Sequence, residues 1–243
     1  MKKVFHIVIL ILISTLQGNS QQLDAGIQAG FGTYSMKDLK MINSTISSDL
    51  PFDTKVVEDF PIYFYYRPYI LVNTRYVSFG PVYTFQSTGS RVSGKDYSGE
   101  YRFDMMVNSS APGIYGEVYL KPVNKVQGSV YTIFGGLFSN LKMNEYLVVQ
   151  DEVMTDDDYS FKSSNFFLEP GFNLRYPVKF LKLGINAGYL FQFGGKSFYF
   201  ADNKDAELIN NKTGDPVKSG WNGFRIGLSV SCILKLSPGL STD

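Results

Sequence analysis

The sequence predicts an all-β chain: an eight-stranded antiparallel up-and-down transmembrane β-barrel with long extracellular loops and short periplasmic turns. Three observations predict it. The first is the stretch 166–193, FFLEPGFNLRYPVKFLKLGINAGYLFQF, which alternates in two long runs around a short Tyr176-Pro177-Val178-Lys179 connection. In the second run Leu181, Leu183, Ile185, Ala187, Tyr189, Phe191 and Phe193 share one face, and Lys182, Gly184, Asn186, Gly188, Leu190 and Gln192 share the other. Successive side chains of a strand leave opposite faces, so this period of two reads as strand. In the first run Phe166, Leu168, Pro170, Phe172, Leu174 and Tyr176 oppose Phe167, Glu169, Gly171, Asn173 and Arg175. The second observation is length. Thirteen residues at roughly 3.3 Å rise reach about 43 Å, or about 33 Å at a tilt of about 40°, enough for the roughly 25 Å apolar band of an outer membrane. The third is the order of the connections, which alternate long and short and leave both termini on the side of the tight turns.

The chain opens on Lys2 and Lys3, an apolar run from Val4 to Leu16, and the small-x-small site Gly18-Asn19-Ser20. Residues 1–20 read as a cleavable secretory leader, too short for a transmembrane anchor. A retained anchor helix is the alternative. No lipobox cysteine follows the apolar run, so a lipoprotein is not expected. Without the leader, 21 basic and 22 acidic residues remain, a net charge of −1 that offers nothing to nucleic acid. The barrel is expected over 21–236 and a polar tail over 237–243.

Strand one is LDAGIQAGFGT, with Leu23, Ala25, Ile27, Ala29 and Phe31 opposite Asp24, Gly26, Gln28, Gly30 and Gly32. In the connection at 35–59, Ser35 and Asp38 have capping-box spacing, Leu39, Ile42, Ile46 and Leu50 share a helical face, and Pro51 stops it. This helix reads as loop packing or as a lid over one barrel end. Strand two, FPIYFYYRPYILVN, is aromatic on both faces in its upper half, which leaves its register open. The tight turn Asn73-Thr74-Arg75 leads to strand three, YVSFGPVYTFQ, and then to a Gly/Ser-rich connection at 87–99.

Strand four carries apolar Tyr101, Phe103, Met105 and Val107 at odd positions, then Ile114, Val118 and Leu120 at even ones. Such a flip of phase predicts a β-bulge near Ser109-Ser110-Ala111-Pro112. Strand five is VQGSVYTIFGGLF; an acidic connection over 139–162 and the 166–193 hairpin follow. A polar connection at 196–220, with turn chemistry at 210–216, leads to the last strand, FRIGLSVSCIL. There Phe224, Ile226, Leu228, Val230, Cys232 and Leu234 oppose Arg225, Gly227, Ser229, Ser231 and Ile233. Cys232 reads as a small buried or lipid-facing side chain.

Strands one, six, seven and eight together supply 24 apolar-face positions, none charged. A Lys or Arg facing mid-membrane lipid costs about 2–4 kcal/mol, so a charge-free face suits lipid. The opposite faces carry Asp24, Glu169, Arg175, Lys182 and Arg225, and Glu117 joins them from strand four. These six are expected to form an interior charge network, because buried charges need partners. The network reads as a rigid packed core or as a gated narrow ion path. A soluble lipocalin-like carrier would invert the faces; strand length, uneven connections and a glycine-rich polar face argue against it.

The only histidine is His6, inside the leader. A mature chain without histidine excludes Ser-His-Asp triads and histidine-bearing zinc sites. Gly195-Lys196-Ser197 mimics the end of a phosphate loop, but Leu190 stands where its first glycine belongs. Asp151, Glu152, Asp156, Asp157 and Asp158 lack calcium-loop spacing and read as a solvated loop, or as a weak divalent-ion contact to lipopolysaccharide. Trp221 and the tyrosines near strand ends read as interface anchors.

With the leader, FPIYFYYRPYILV, VSFGPVYTFQSTGSRVSGKDYSGEYRF and the long hairpin, the chain resembles the small OmpA/OmpX-like outer-membrane β-barrels, in particular the outer-membrane-protein β-barrel domain of Bacteroidetes-type bacteria. The resemblance implies fold and location over the whole mature chain. Such barrels commonly end on an aromatic residue of the last strand; here the strand ends near Cys232-Ile233-Leu234 and a tail follows. The expected work is non-enzymatic, structural or adhesive, carried by the outer loops, with no cofactor. Expected partners are outer-membrane lipid and lipopolysaccharide. A narrow channel for ions or small solutes is the alternative, and a soluble periplasmic carrier the second.

Overall fold

The computed structural model describes residues 22–49, 54–97, 99–123, 125–150 and 152–235. The expected leader and tail, Leu50, Pro51 and Asp151 lie outside them. The elements in chain order are β1 (Gln22–Gly32), α1 (Lys37–Asp49), β2 (Lys55–Asp59), β3 (Tyr63–Asn73), β4 (Val77–Lys95), β5 (Gly99–Tyr119), β6 (Gln127–Val149), β7 (Glu152–Val178), β8 (Leu181–Phe193), β9 (Tyr199–Phe200) and β10 (Gly223–Lys235). Eight of the strands pair antiparallel in a ring: β1, β3, β4, β5, β6, β7, β8, β10 and back to β1. Ring closure leaves no sheet edge along the shared length. Among the described residues no helix is long and apolar enough to cross a membrane.

The ring is lopsided. β1, β3, β8 and β10 have 11 to 13 residues, whereas β4 to β7 have 19 to 27. Four neighbouring strands therefore rise as a wall above the rest. Much of what reads in sequence as connection at 87–99 and 139–162 is strand in this wall. Where β3 ends, β2 takes over the edge of β4; where β8 ends, β9 pairs with β7. Among the described residues, the segments that cross the outer side are 33–49 and 54–62, with α1 and β2, and 194–222.

Around the lower part runs an apolar belt. On β7, Tyr176, Leu174, Phe172, Pro170, Leu168 and Phe166 point outward, and Ser164, Lys162 and Ser160 follow above. From Phe166 to Tyr176 is about 33 Å of strand, or about 25 Å at a tilt of about 40°. On β6 the outward sequence changes from Phe134 and Phe138 to Asn140, Lys142 and Asn144. The outward side of β10 is Phe224, Ile226, Leu228, Val230 and Cys232, so Cys232 is exposed on the belt.

The β-bulge expected in β5 is absent. Its register to β4 runs unbroken from Lys95↔Glu100 to Val77↔Val118, and no shift interrupts its pairing with β6. Odd residues from Tyr101 to Glu117 point inward throughout. The apolar phase flips because the surroundings do. Below, the outside is apolar (Ile114, Val118) and the inside polar (Glu117). Above, the outside is mostly polar (Arg102, Asp104, Asn108, with Met106 the apolar exception) and the inside apolar (Tyr101, Phe103, Met105, Val107). The upper wall is built like a water-exposed sheet over its own core. That core joins Val92, Leu137, Leu141, Met143 and Phe161 of the wall to Met36, Leu39, Phe60, Phe198, Val217 and Trp221 of the two crossing segments.

α1 forms as the periodicity predicts, with Ile42 and Ile46 packed on this core. Asn43 pins it: the side-chain amide donates to Asp59 at 2.9 Å and accepts from Ser90 at 3.3 Å. The capping box is not made in the expected way, because the Asp38 carboxylate accepts from the Lys218 backbone N–H at 2.9 Å. It joins the two crossing segments instead.

Candidate functional site

Inside the belt the alternation of each strand delivers polar side chains to the barrel axis, where they meet in layers. Nearest the short turns, Lys182 of β8 lies 2.7 Å from Asp24 of β1. Above it, Arg175 Nη1 of β7 stands 2.8 Å from Glu117 Oε2 of β5, an ion pair without hydrogen-bond alignment. Glu117 also accepts from Ser129 and, at 3.0 Å, from Asn173. Next comes Arg67 of β3, which forks onto Glu169 of β7 at 2.8 and 2.5 Å and donates to Thr84 at 2.8 Å and to Gln28 at 3.2 Å. Both members of that pair are fully buried. A forked guanidinium–carboxylate contact of this kind fixes geometry as well as charge.

Arg225 occupies the outermost layer. It donates to Gln86 at 2.8 Å and to the Thr33 carbonyl at 3.0 Å, and its guanidinium carbon lies 4.8 Å from the centre of the Tyr34 ring. All six network residues expected from sequence point inward, in four places: Asp24 with Lys182, Glu117 with Arg175, Glu169 by itself, and Arg225 in the outermost layer. Arg67 is the residue the sequence reading missed. It is the partner of Glu169, and among the described residues no carboxylate is in ion-pair contact with Arg225. The signal for Arg67 was its charge: facing lipid in a membrane-length strand would cost about 2–4 kcal/mol.

Aromatic rings close the space between the layers. Tyr69, Tyr115 and Tyr131 stack across the interior, centroids 6.0 and 5.4 Å apart and planes within 17° and 12° of parallel. The ladder fits because glycines face its end: a Cβ at Gly171 or Gly188 would collide with the Tyr131 ring. Higher up, Trp221 is not an interface anchor. It is fully buried, donates its indole N–H to Ser139 at 2.8 Å and meets Tyr34 edge-on at 5.0 Å. Gly220 makes this possible by taking φ 65°, which turns the chain into the mouth and places its carbonyl to accept from the Met36 N–H at 2.9 Å.

The acidic residues of β7 stand on the wall. Asp158 accepts from Asn144 at 3.1 Å and Asp157 from Tyr159 at 3.3 Å. Among the described residues no group of three or more His, Cys, Asp or Glu side chains is placed to hold a metal ion.

Fold and site together define a closed eight-stranded barrel with a charged core, a plugged mouth and an asymmetric wall. No protein-family model matches the chain, and neither does any curated protein. Solved structures similar to it include the attachment invasion locus protein Ail of Yersinia pestis in complex with the heparin analogue sucrose octasulfate. That structure is 8% identical over 89% of this chain and 100% of the other, with a TM-score of 0.44. A second structure of Ail is 9% identical over 89% and 100%, with a TM-score of 0.41. Neisserial surface protein A is 9% identical over 88% and 99%, with a TM-score of 0.35.

Proposed function

We propose that this chain is a non-enzymatic outer-membrane barrel that uses its outer wall to bind surface partners. The observation that carries the reading is the change of amphipathicity along β4 to β7. Beneath it, a belt of about 25 Å matches the apolar thickness that barrels cross. Above it, β7 alone continues for the 14 residues before Phe166, about 46 Å of strand. Closing a barrel needs no such wall, and structure in excess of closure is where binding resides. The packed interior supports a closed barrel over a channel, and the outward apolar belt is the inverse of a lipocalin-like carrier.

The test is expression of the full chain in a Gram-negative host, with and without a trimmed wall in which 145–160 is replaced by a four-residue turn. Both forms are expected in the outer-membrane fraction with heat-modifiable gel mobility, and only the untrimmed form should make cells adhere to immobilised host matrix. Release of the untrimmed form without detergent would refute the membrane reading. Equal adherence of the two forms would refute the role of the wall.

A further inference from the structure

One ring strand departs from the pattern of the belt. Near the outer end of its apolar run, each of the other seven turns an aromatic ring outward: Phe31, Tyr66, Phe85, Phe138, Phe166, Phe193 and Phe224 on β1, β3, β4, β6, β7, β8 and β10. Girdles of aromatic rings flank the apolar band of barrels that cross an outer membrane. On β5 the outward residues there are Pro112, Ser110 and Asn108. Ser110 is the register partner of Phe85 on one side and Phe138 on the other, so the gap is one ring wide.

Two clefts lie at this height, and the larger one includes Ser110. One, of about 250 Å³, lies between Tyr66 and Asn108. The other, of about 390 Å³, runs from Phe85 past Ser110 and Asn140 to Lys162 and Tyr199. Their floor and upper rim are one row of register partners, Ser87, Asn108, Asn140 and Lys162, which supplies a hydroxyl, two amides and one ammonium group. Asn140 accepts from Ser160 at 3.2 Å, which leaves its amide N–H₂ for a ligand. No carboxylate stands among these four or in the row below; the row continues through Tyr199 to Glu207, two positions beyond Lys162, and the next acidic row, with Asp104 and Asp158, is two outward rows higher. Below the gap Ile114 and its register partner Pro81 continue the apolar belt.

We infer that this break in the aromatic girdle seats one outer-leaflet lipid with a phosphorylated saccharide headgroup. The inference rests on the membrane reading above. Amides and hydroxyls match a headgroup dense in hydroxyls, because each both donates and accepts. Phe85, Phe138 and Tyr199 offer rings to the apolar faces of a sugar, and Lys162 offers a cation to a phosphate. Acyl chains descend along Pro112 and Ile114, in the lane between the flanking rings of Tyr83 and Phe134. A glycerol phosphodiester headgroup answers the ammonium but brings only two hydroxyls and no sugar face to the amides and rings, so it fills fewer of the seat's contacts.

The experiment uses the full chain, reconstituted in bilayers that hold equal amounts of lipid A and phosphatidylglycerol, extracted gently and weighed by native mass spectrometry. The wild type is expected to retain one lipid A, preferred over phosphatidylglycerol by about tenfold, as two neutral hydrogen bonds provide. Ser110→Phe closes the gap and Asn140→Ala removes an amide. Both face outward, so each should insert normally and lose the preference about three- to tenfold. An inserted wild type that retains the two lipids equally, or an S110F protein as selective as the wild type, overturns the seat alone. A chain that never enters bilayers overturns the membrane reading and the seat with it.

Discussion

Arg67 brings a full charge to the centre of the barrel, and everything within reach answers it. Glu169 takes both arms of the guanidinium, Thr84 and Gln28 take further N–H groups, and Tyr131 donates to Glu169 at 3.2 Å. Removing one member strands the other, which typically costs about 3–5 kcal/mol, whereas replacing both by apolar residues of similar volume is often neutral. Glu169→Gln is therefore expected to lower unfolding stability by about that amount in lipid vesicles, and R67M/E169M to recover most of it. Urea titration followed by gel mobility checks this; a loss under about 1 kcal/mol for E169Q would show that the pair is not electrostatically coupled. The sequence made Glu169 legible through the clean alternation of its strand. Arg67 was obscured because Tyr63, Phe64, Tyr65 and Tyr66 put rings on both faces of β3. Those facing out belong to the belt, while Tyr65 points in and donates to Asn186 at 3.0 Å.

At the scale of the element, β5 separates backbone from environment. Its apolar phase reads in sequence as a kink, yet the pairing is continuous over 19 register positions on the β4 side. A sequence pattern reports which face is dry and not which way the chain turns, so a strand that leaves hydrocarbon for water mimics a bulge. The alternation of β7, β8 and β10 was legible because their periodic runs lie within the belt and never change surroundings. Two outward positions on β5 test the boundary. Ile114→Arg is expected to destabilise by about 2–4 kcal/mol, the cost of a guanidinium facing hydrocarbon. Met106→Arg, eight residues along the same face, is expected to stay within about 0.5 kcal/mol of wild type. Equal costs at the two sites, measured by folding titration into vesicles, would place the boundary elsewhere.

For the whole molecule the question is whether a barrel so full of charge conducts. Two independent seals argue that it does not. The tyrosine ladder spans the lower interior, and the mouth is filled by Trp221, Phe198, Val217 and Met36 against the wall. The lower seal was foreshadowed by the glycine-rich polar face. The upper one was not, since a tryptophan beside a strand end has the same local sequence whether its loop stays at the surface or folds into the mouth. Trp221 is the only tryptophan, so it reports directly. Its emission is expected to be unaffected by lipids brominated along the acyl chain, while a tryptophan placed by Phe138→Trp should be strongly quenched by them. Trp221→Ala is expected to cost about 3–5 kcal/mol, and to leave planar bilayers silent because the ladder still stands. Reproducible discrete openings from the wild type would mean that ions find a route past stacked rings and paired charges, and the closed barrel would have to be given up. Openings from the alanine variant alone would locate the seal at Trp221 and reduce the ladder to packing.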